Sequence, residues 1–245
     1  MKKHLLIGLL LLTSGCNLGV PSPTPESTSQ ATLPSTPTTV PATATLPVTE
    51  TAVPTPEPPA LYFTDEFDTL QPYWEFFQTG GLTRPTPVVG NGILRIDMDI
   101  ADTWFMGVHN VHIYPNVFVR AQASPSAGGS VGLICRYSES DGWFEFNAES
   151  DGSYSVLLGQ WLAPEVAKYV PVLTDSNSLL SNNASYTLGL FCQDNFLLLY
   201  VNEALIRRVE VTNYGLSEGK VGFTAASQKT VPVSILIEWL RVDSQ

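Results

Sequence analysis

The chain has 245 residues, of which 44% are apolar, and carries 12 Lys and Arg against 23 Asp and Glu, a formal net charge of −11. Proteins that contact phosphate backbones need clustered Lys and Arg, so this acidic balance argues against a nucleic-acid partner. The length suits one domain with additional segments.

The first 15 residues have the layout of an export signal. Residues 1–4 are basic, residues 5–12 are apolar, and residues 13–15 are small and precede Cys16. This pattern resembles a bacterial lipoprotein signal peptide, although Thr13 stands where that family usually has leucine. In that family the cysteine is lipidated and the mature chain starts there. The alternative is a transmembrane anchor, but this apolar run is far short of the ~20 residues that cross a bilayer.

We therefore expect a lipid anchor on Cys16 that places the protein at the cell membrane or cell surface, on the extracytoplasmic side. Residues 16–60 would form the tether. Residues 17–60 hold 11 of the 19 prolines and 11 threonines, but no aromatic residue, lysine or arginine. Such a segment offers too little apolar area to offset the entropy cost of folding, so a disordered Pro/Thr/Ser-rich linker is predicted.

Residues 61–245 are predicted to form one all-β domain. Short runs that alternate apolar and polar residues are separated by turn signals such as Asn91-Gly92 and Asp151-Gly152. No segment has a 3.6-residue apolar stripe, and the closely spaced strands favour an antiparallel sandwich or barrel. The predicted strands are 93–99, 117–121, 131–137, 143–148, 154–158, 186–192, 196–201, 206–211, 221–225 and 233–242.

Two cysteines remain once Cys16 is assigned to lipid. Cys135 and Cys192 would lie in an exported, oxidising compartment, where a disulfide is favoured. Two buried free thiols are the alternative. A zinc site is disfavoured because no histidine lies near either cysteine in the sequence.

The strand at 143–149 has two distinct faces. Phe144, Phe146 and Ala148 share one side, which we expect in the core, and the alternate residues share the other side, which we expect in solvent. The hairpin centred near residues 140 and 141 would add an arginine to the solvent side. The candidate ligand-binding residues are therefore Arg136, Trp143, Glu145, Asn147 and Glu149, with Trp161 at the sheet rim.

Several motifs resemble concanavalin A-like (laminin G-like) jelly-roll domains, particularly those grouped with the 3-keto-disaccharide hydrolase domain. They are the segments 63–68 with Trp74, 90–94, 132–136 with 143–146 and 151–154, 199–202, and 219–223. The chain departs from that family at Asn202-Glu203, where Asn-Gly is usual. The resemblance implies two antiparallel sheets, one of them concave, with carbohydrate on the concave face or at its rim.

Catalysis has less support than binding. The Glu-x-Asp-x-x-Glu motif of family 16 glycoside hydrolases is absent, and Glu145 and Glu149 are the nearest approach to it. Residues four apart on a strand are separated by about 13 Å, whereas glycosidase carboxylates need ~5 to 9.5 Å. We therefore favour binding over enzymatic activity. If the protein is an enzyme, we expect a sugar hydrolase.

Metal sites have only scattered candidates. Asp65, Asp68 and Asp243 could form a structural calcium site, since carboxylate oxygens suit that ion, and no other cofactor is indicated. His109 and His112, three residues apart on a strand, should point to opposite faces and not share a metal.

These observations lead to one favoured function and two alternatives. We expect a lipid-anchored envelope protein whose β-sandwich binds carbohydrate or another envelope ligand. The alternatives are a glycosidase-type hydrolase acting on a disaccharide or modified sugar, and a structural or adhesion module that binds a protein partner.

Overall fold

Alternating burial builds the strands. Along Val117–Pro125, buried residues occupy every second position, so one side faces the core and the other faces outward. The computed structural model describes residues 58–181 and 185–244. The predicted signal peptide, Cys16 and the tether up to residue 57 lie outside the described residues, and so does the predicted lipid anchor.

The strands run almost without interruption through the described residues, which contain no helix long and apolar enough to cross a membrane. One 3₁₀ turn spans Thr212–Tyr214. The strands are β1 (Phe63–Asp65), β2 (Trp74–Gly80), β3 (Val88–Gly90), β4 (Ile93–Met98), β5 (Thr103–Tyr114), β6 (Val117–Pro125), β7 (Gly129–Ser138), β8 (Gly142–Glu149), β9 (Ser153–Ala163), β10 (Val166–Ser176), β11 (Tyr186–Gln193), β12 (Phe196–Val201), β13 (Ala204–Glu210), β14 (Gly219–Ser227) and β15 (Val233–Asp243).

Two antiparallel sheets pack face to face. The eight-stranded sheet has the order β13-β12-β11-β6-β15-β4-β3, with β1 paired to β15. The seven-stranded sheet has the order β10-β9-β8-β7-β14-β5-β2. The predicted all-β, two-sheet antiparallel sandwich is confirmed, and the strands that the sequence patterns missed are β1, β2, β3, β5 and β10.

The main core lies between the sheets. Phe144, Phe146 and Ala148 of β8 are fully buried there, as their alternation predicts. The sulfurs of Cys135 on β7 and Cys192 on β11 are bonded, with 6.6 Å between the two Cα atoms. The predicted disulfide is therefore confirmed, and it joins the two sheets.

A carboxylate organises the start of the domain. Asp65 at the end of β1 accepts hydrogen bonds from the Phe67 backbone N–H (2.9 Å) and from the Trp74 indole N–H (2.7 Å). Phe67 has a positive φ of 52°, so this local contact stabilises a turn that is unusual for an aromatic residue. The side chains of Phe67 and Trp74 are both buried in the main core, which ties the first strand to it.

Candidate functional site

The seven-stranded sheet curls until its two edge strands meet. Tyr169 of β10 and Thr79 of β2 lie at opposite edges of the sheet, yet their hydroxyl oxygens are 3.1 Å apart. The ring centroids of Tyr169 and Trp104 are 5.8 Å apart, and those of Phe77 and Trp161 are separated by the same distance. The two edge strands thus close over the face of this sheet that points away from the main core. We call it the inner face, and the closure encloses most of it.

The predicted solvent face of β8 lies inside this enclosure. Trp143 and Glu145 are 0% exposed and Asn147 is 3% exposed. They do share one face, as predicted, but the expectation that this face is in solvent is wrong. Trp143 packs over Gly159, where a Cβ would come within 2.2 Å of the indole ring. Together with Tyr137 and Ile134 it forms a second, smaller apolar cluster.

Arg136 does not join that face. It has a φ of 54° within an irregularity of the β7–β8 ladder between Cys135 and Ser138, and a β-bulge of this kind turns a side chain to the other side. Its guanidinium donates hydrogen bonds to the carbonyl oxygens of Leu216 (2.8 Å) and Asp194 (2.5 Å). The predicted position of Arg136 beside Trp143 or Glu145 is therefore wrong, and Arg136 supports loops instead.

Glu145 is the centre of a buried polar network. Its Oε1 accepts a hydrogen bond from the Trp143 indole N–H (2.6 Å), and its Oε2 accepts one from the Asn147 side-chain amide (3.0 Å). Asn147 Oδ1 in turn accepts a hydrogen bond from the Thr224 hydroxyl (2.6 Å). Each polar side-chain atom of this network thus has a hydrogen-bond partner, as buried polar groups require.

Burial raises the pKa of Glu145, because the charged carboxylate loses its hydration, while the donors Asn147 and Trp143 act in the opposite sense. Trp104 also acts to lower this pKa, although its indole N–H makes no hydrogen bond of ordinary geometry. The neutral carboxyl therefore persists to a higher pH in the folded protein than it does in an exposed glutamate.

This environment does not fit the predicted alternative of a Glu145–Glu149 catalytic pair. Glu145 has no contact with solvent, so a substrate could reach it only if the edge strands separated. Glu149 is half-buried at the end of β8, and its pKa is raised by burial and by the charge of Asp151.

The inner face remains open at one end. There a depression of about 680 Å³, which we call the rim groove, lies between the start of β2 and the β9–β10 hairpin. It has about twice the volume of the depressions around Asp65 or around Phe118. Its lining residues are Glu75, Phe76, Phe77, Arg84, Tyr137, Glu139, Trp161, Leu162, Ala163, Pro164 and Glu165.

Aromatic side chains form the floor of the rim groove. The rings of Phe77 and Tyr137 stack with 5.8 Å between their centroids, and the Trp161 indole N–H donates a hydrogen bond to the Tyr137 hydroxyl (3.1 Å). Trp161 in turn packs on the buried Trp143, with a centroid separation of 5.1 Å. Trp161 therefore lies at the sheet rim, half-buried, with its position determined by contacts on two sides.

Charged side chains border the rim groove. Arg84 pairs with Glu165 (3.5 Å) across the two edges of the sheet, and Lys220 pairs with Glu139 (3.5 Å). The pKa of Tyr137 is raised to about 12, mainly by burial, with smaller contributions from the charges of Glu139 and Glu75. The phenol is therefore neutral across the physiological range.

The predicted calcium ligands are not assembled. Both carboxylate oxygens of Asp65 accept hydrogen bonds from the protein, and Asp243 forms an ion pair with Arg120 (2.5 Å). Asp65 and Asp68 line the same depression, but the described residues contain no group of three side chains that could hold a metal ion. The expected calcium site is therefore wrong for these three residues.

The two histidines of β5 also differ from expectation. Their rings stack with 6.3 Å between centroids, so they do not point to opposite faces. The cause is an irregularity in the β5–β14 ladder between Gly219 and Val221, which breaks the two-residue period. His109 is 2% exposed, and its pKa is lowered to about 4, mainly by burial and further by His112.

No family model and no curated protein matches the chain. Solved structures do match, and they show the fold of the domain, a concanavalin A-like jelly-roll sandwich.

Three solved structures illustrate the likeness. A β-glucanase from Bacillus licheniformis is 14% identical with a TM-score of 0.51, over 75% of this chain and 98% of that one. A Bacillus subtilis protein of unknown function with a galectin-like fold is 11% identical with a TM-score of 0.55, over 74% and 94%. A family 16 glycoside hydrolase from the mixed-linkage glucan locus of Bacteroides ovatus is 8% identical with a TM-score of 0.54, over 74% and 99%. At these identities the likeness shows the fold alone.

Proposed function

We propose that this protein binds carbohydrate in the rim groove and is held at the cell surface by a lipid on Cys16. One observation carries the binding site: the half-buried Trp161 and Phe77 form an aromatic floor in an open part of the inner face. Two of the structural neighbours named above act on glucans, which supports a glycan ligand for this fold.

The chemistry of the rim groove suits a sugar. Aromatic rings offer flat apolar surfaces to the C–H faces of a pyranose, while carboxylates and guanidinium groups at the border exchange hydrogen bonds with its hydroxyls. The volume of about 680 Å³ falls within the range of about 300 to 1,000 Å³ that is usual for ligand pockets. A saccharide of a few units would fit, with longer chains extending into solvent.

A binding function agrees better with the structure than a hydrolytic one. The buried Glu145 faces Trp143 and Asn147, and neither oxygen is accessible from the rim groove. Two of the carboxylates at the border of the groove, Glu139 and Glu165, are held in ion pairs with Lys220 and Arg84.

The binding site is tested by truncating its aromatic floor. Trp161→Ala is expected to weaken binding to soluble polysaccharides, and to the oligosaccharide that binds best, by about 5- to 150-fold, since aromatic contacts contribute about 1 to 3 kcal/mol each. Affinity gel electrophoresis over a polysaccharide panel, followed by calorimetry, measures this loss. The matched control is Trp239→Ala, a half-buried tryptophan on β15 of the other sheet, which should not change binding.

Because Trp161 packs on Trp143, a second substitution separates binding from folding. Leu162 is 67% exposed in the rim groove, so Leu162→Ser, which removes apolar surface without adding charge, should leave the thermal unfolding midpoint unchanged and weaken binding. If no polysaccharide of the panel is bound, or if both variants bind as the wild type does, the proposal is wrong. Retention of a protein partner without sugar binding would favour the adhesion alternative.

The lipid anchor is tested separately. Cells grown with labelled palmitate should incorporate the label into the wild-type protein and not into a Cys16→Ala variant, because thioether and amide acylation in the resembled family both need that cysteine. Detergent phase partitioning should move the variant from the detergent phase to the aqueous phase. An unlabelled wild-type protein would contradict the anchor while leaving the carbohydrate proposal unaffected.

A further inference from the structure

The rim groove carries more negative charge than its own cations neutralise. Glu165 is paired with Arg84, and Glu139 is paired with Lys220. Glu75 is half-buried on β2, and its carboxylate has neither an ion-pair nor a hydrogen-bond partner within the described ranges 58–181 and 185–244. One carboxylate at the groove is therefore available to a ligand.

The position of Glu75 makes this carboxylate relevant to the aromatic floor. It is two residues from Phe77 on the same strand, so both side chains emerge on the same face of the sheet. Glu75, Glu139 and Tyr137 all line the rim groove, and the charges of both carboxylates act to raise the pKa of the Tyr137 phenol. Both carboxylates thus border the surface on which a sugar ring would stack.

Aromatic faces and carboxylates favour the same kind of ligand group. The face of an aromatic ring is negative, so it attracts a cation placed above it, most strongly when the ring is tryptophan. A partly buried carboxylate adds to this attraction and repels anionic sugars. A neutral hydroxyl can donate a hydrogen bond to Glu75 but cannot balance its charge.

We propose that the preferred ligand of the rim groove carries a protonated amine, so that the glycan it binds contains amino sugars with a free amino group. This inference rests on the proposed function, because it assigns the ligand class to the same groove. The amine would lie between the Glu75 carboxylate and the faces of Phe77 and Trp161, while the sugar ring contacts the remaining floor.

The test compares two oligosaccharides that differ only in whether their six amino groups are free or acetylated. A hexamer of β-1,4-linked glucosamine and its fully N-acetylated form are titrated into the protein at pH 6, where the free amine is protonated. We expect the free-amine form to bind at least tenfold more tightly at low salt. The advantage should shrink at 0.5 M NaCl, since salt screens charges at the groove border.

Glu75→Gln is expected to remove most of this preference and to leave binding of the N-acetylated form within twofold of the wild type. The matched control is Glu238→Gln, an exposed glutamate on β15, which should keep the preference. Trp161→Ala should weaken binding of both oligosaccharides, because both need the aromatic floor.

Other results would overturn the inference. Equal or tighter binding of the N-acetylated form refutes the amine preference and leaves carbohydrate binding in place. A preference that survives both Glu75→Gln and Trp161→Ala would come from the overall negative charge of the chain, and the site would be wrong. Failure of both hexamers and of the whole polysaccharide panel would refute the proposed function itself.

Discussion

Glu145→Leu is expected to lower the free energy of unfolding by about 2 to 6 kcal/mol. Leucine has a similar size but accepts no hydrogen bond, so the buried donors of Trp143 and Asn147 would lose their partner. An unsatisfied buried donor costs about 1 to 3 kcal/mol, and two are left. Urea denaturation followed by tryptophan fluorescence measures this loss, and an unfolding midpoint equal to that of the wild type would contradict the network.

Glu145→Gln is the matched control. The difference in stability between this variant and the wild type should depend on pH, in a direction that follows from the raised pKa of Glu145. The folded protein raises the pKa of Glu145 above its ordinary value of 4.5, so the protonated form stabilises the fold fully below that value. This contribution is lost as the pH rises through the folded pKa. Glutamine has no charge to lose, so the variant should become more stable relative to the wild type as the pH increases. Parallel pH profiles for the two proteins would show that Glu145 does not titrate differently on folding.

Replacing both Cys135 and Cys192 with alanine is expected to lower the free energy of unfolding by about 4 kcal/mol. The bond closes a loop with a sequence separation of 57 residues, and loop-closure entropy predicts a cost of that size. Guanidinium denaturation of the oxidised wild type and the double variant measures the difference. The reduced wild type is the control and should lose a similar amount. A loss below about 1 kcal/mol would show that the two sheets hold together without the bond.

Because Trp143 is buried, its substitution cannot test ligand binding separately from folding. Trp143 is enclosed among Tyr137, Trp161 and Tyr169, so Trp143→Ala would leave a large cavity and cost about 3 to 5 kcal/mol. Any loss of ligand binding in that variant would follow from loss of structure. Trp161 and Leu162 are the informative positions because they line the open groove.

Closure of the inner face explains why the proposed site lies at the rim. A ligand cleft along a sheet needs an open concave surface, and here Tyr169 meets Thr79 across it. The aromatic residues that would otherwise contact a sugar instead contact one another and form a second cluster. The end near the β9–β10 hairpin keeps the aromatic surface of Phe77 and Trp161 accessible to a ligand.

Local sequence patterns correctly predicted which side chains face the core in strands that have one buried face and one exposed face. β6 and β8 show the two-residue period, and Phe144, Phe146 and Ala148 lie in the core as that period requires. β5 was missed because most of its residues are buried on both faces, which removes the alternation. β10 was missed because it is an edge strand with half-exposed residues and Pro171 in its middle.

Residues at irregularities were the hardest to predict. The position of Arg136 depends on one extra residue in the β7–β8 ladder, which turns its side chain to the other side, and the amino-acid pattern around it does not reveal a bulge. The two histidines of β5 depend on a second irregularity. A shift of one residue reverses the face of a side chain, so an error in register becomes an error in the site.

The amino-acid sequence alone predicted an all-β domain with most of its strands, and it favoured a disulfide between Cys135 and Cys192, because period-two patterns, turn residues and cysteine count are local or compositional signals. Only the tertiary structure decided which side chains can meet a ligand. Exposure of Trp143 and Glu145 depends on whether two edge strands far apart in sequence meet, and the contact between Thr79 and Tyr169 that closes the face spans 90 residues. No pattern within a single strand contains that information.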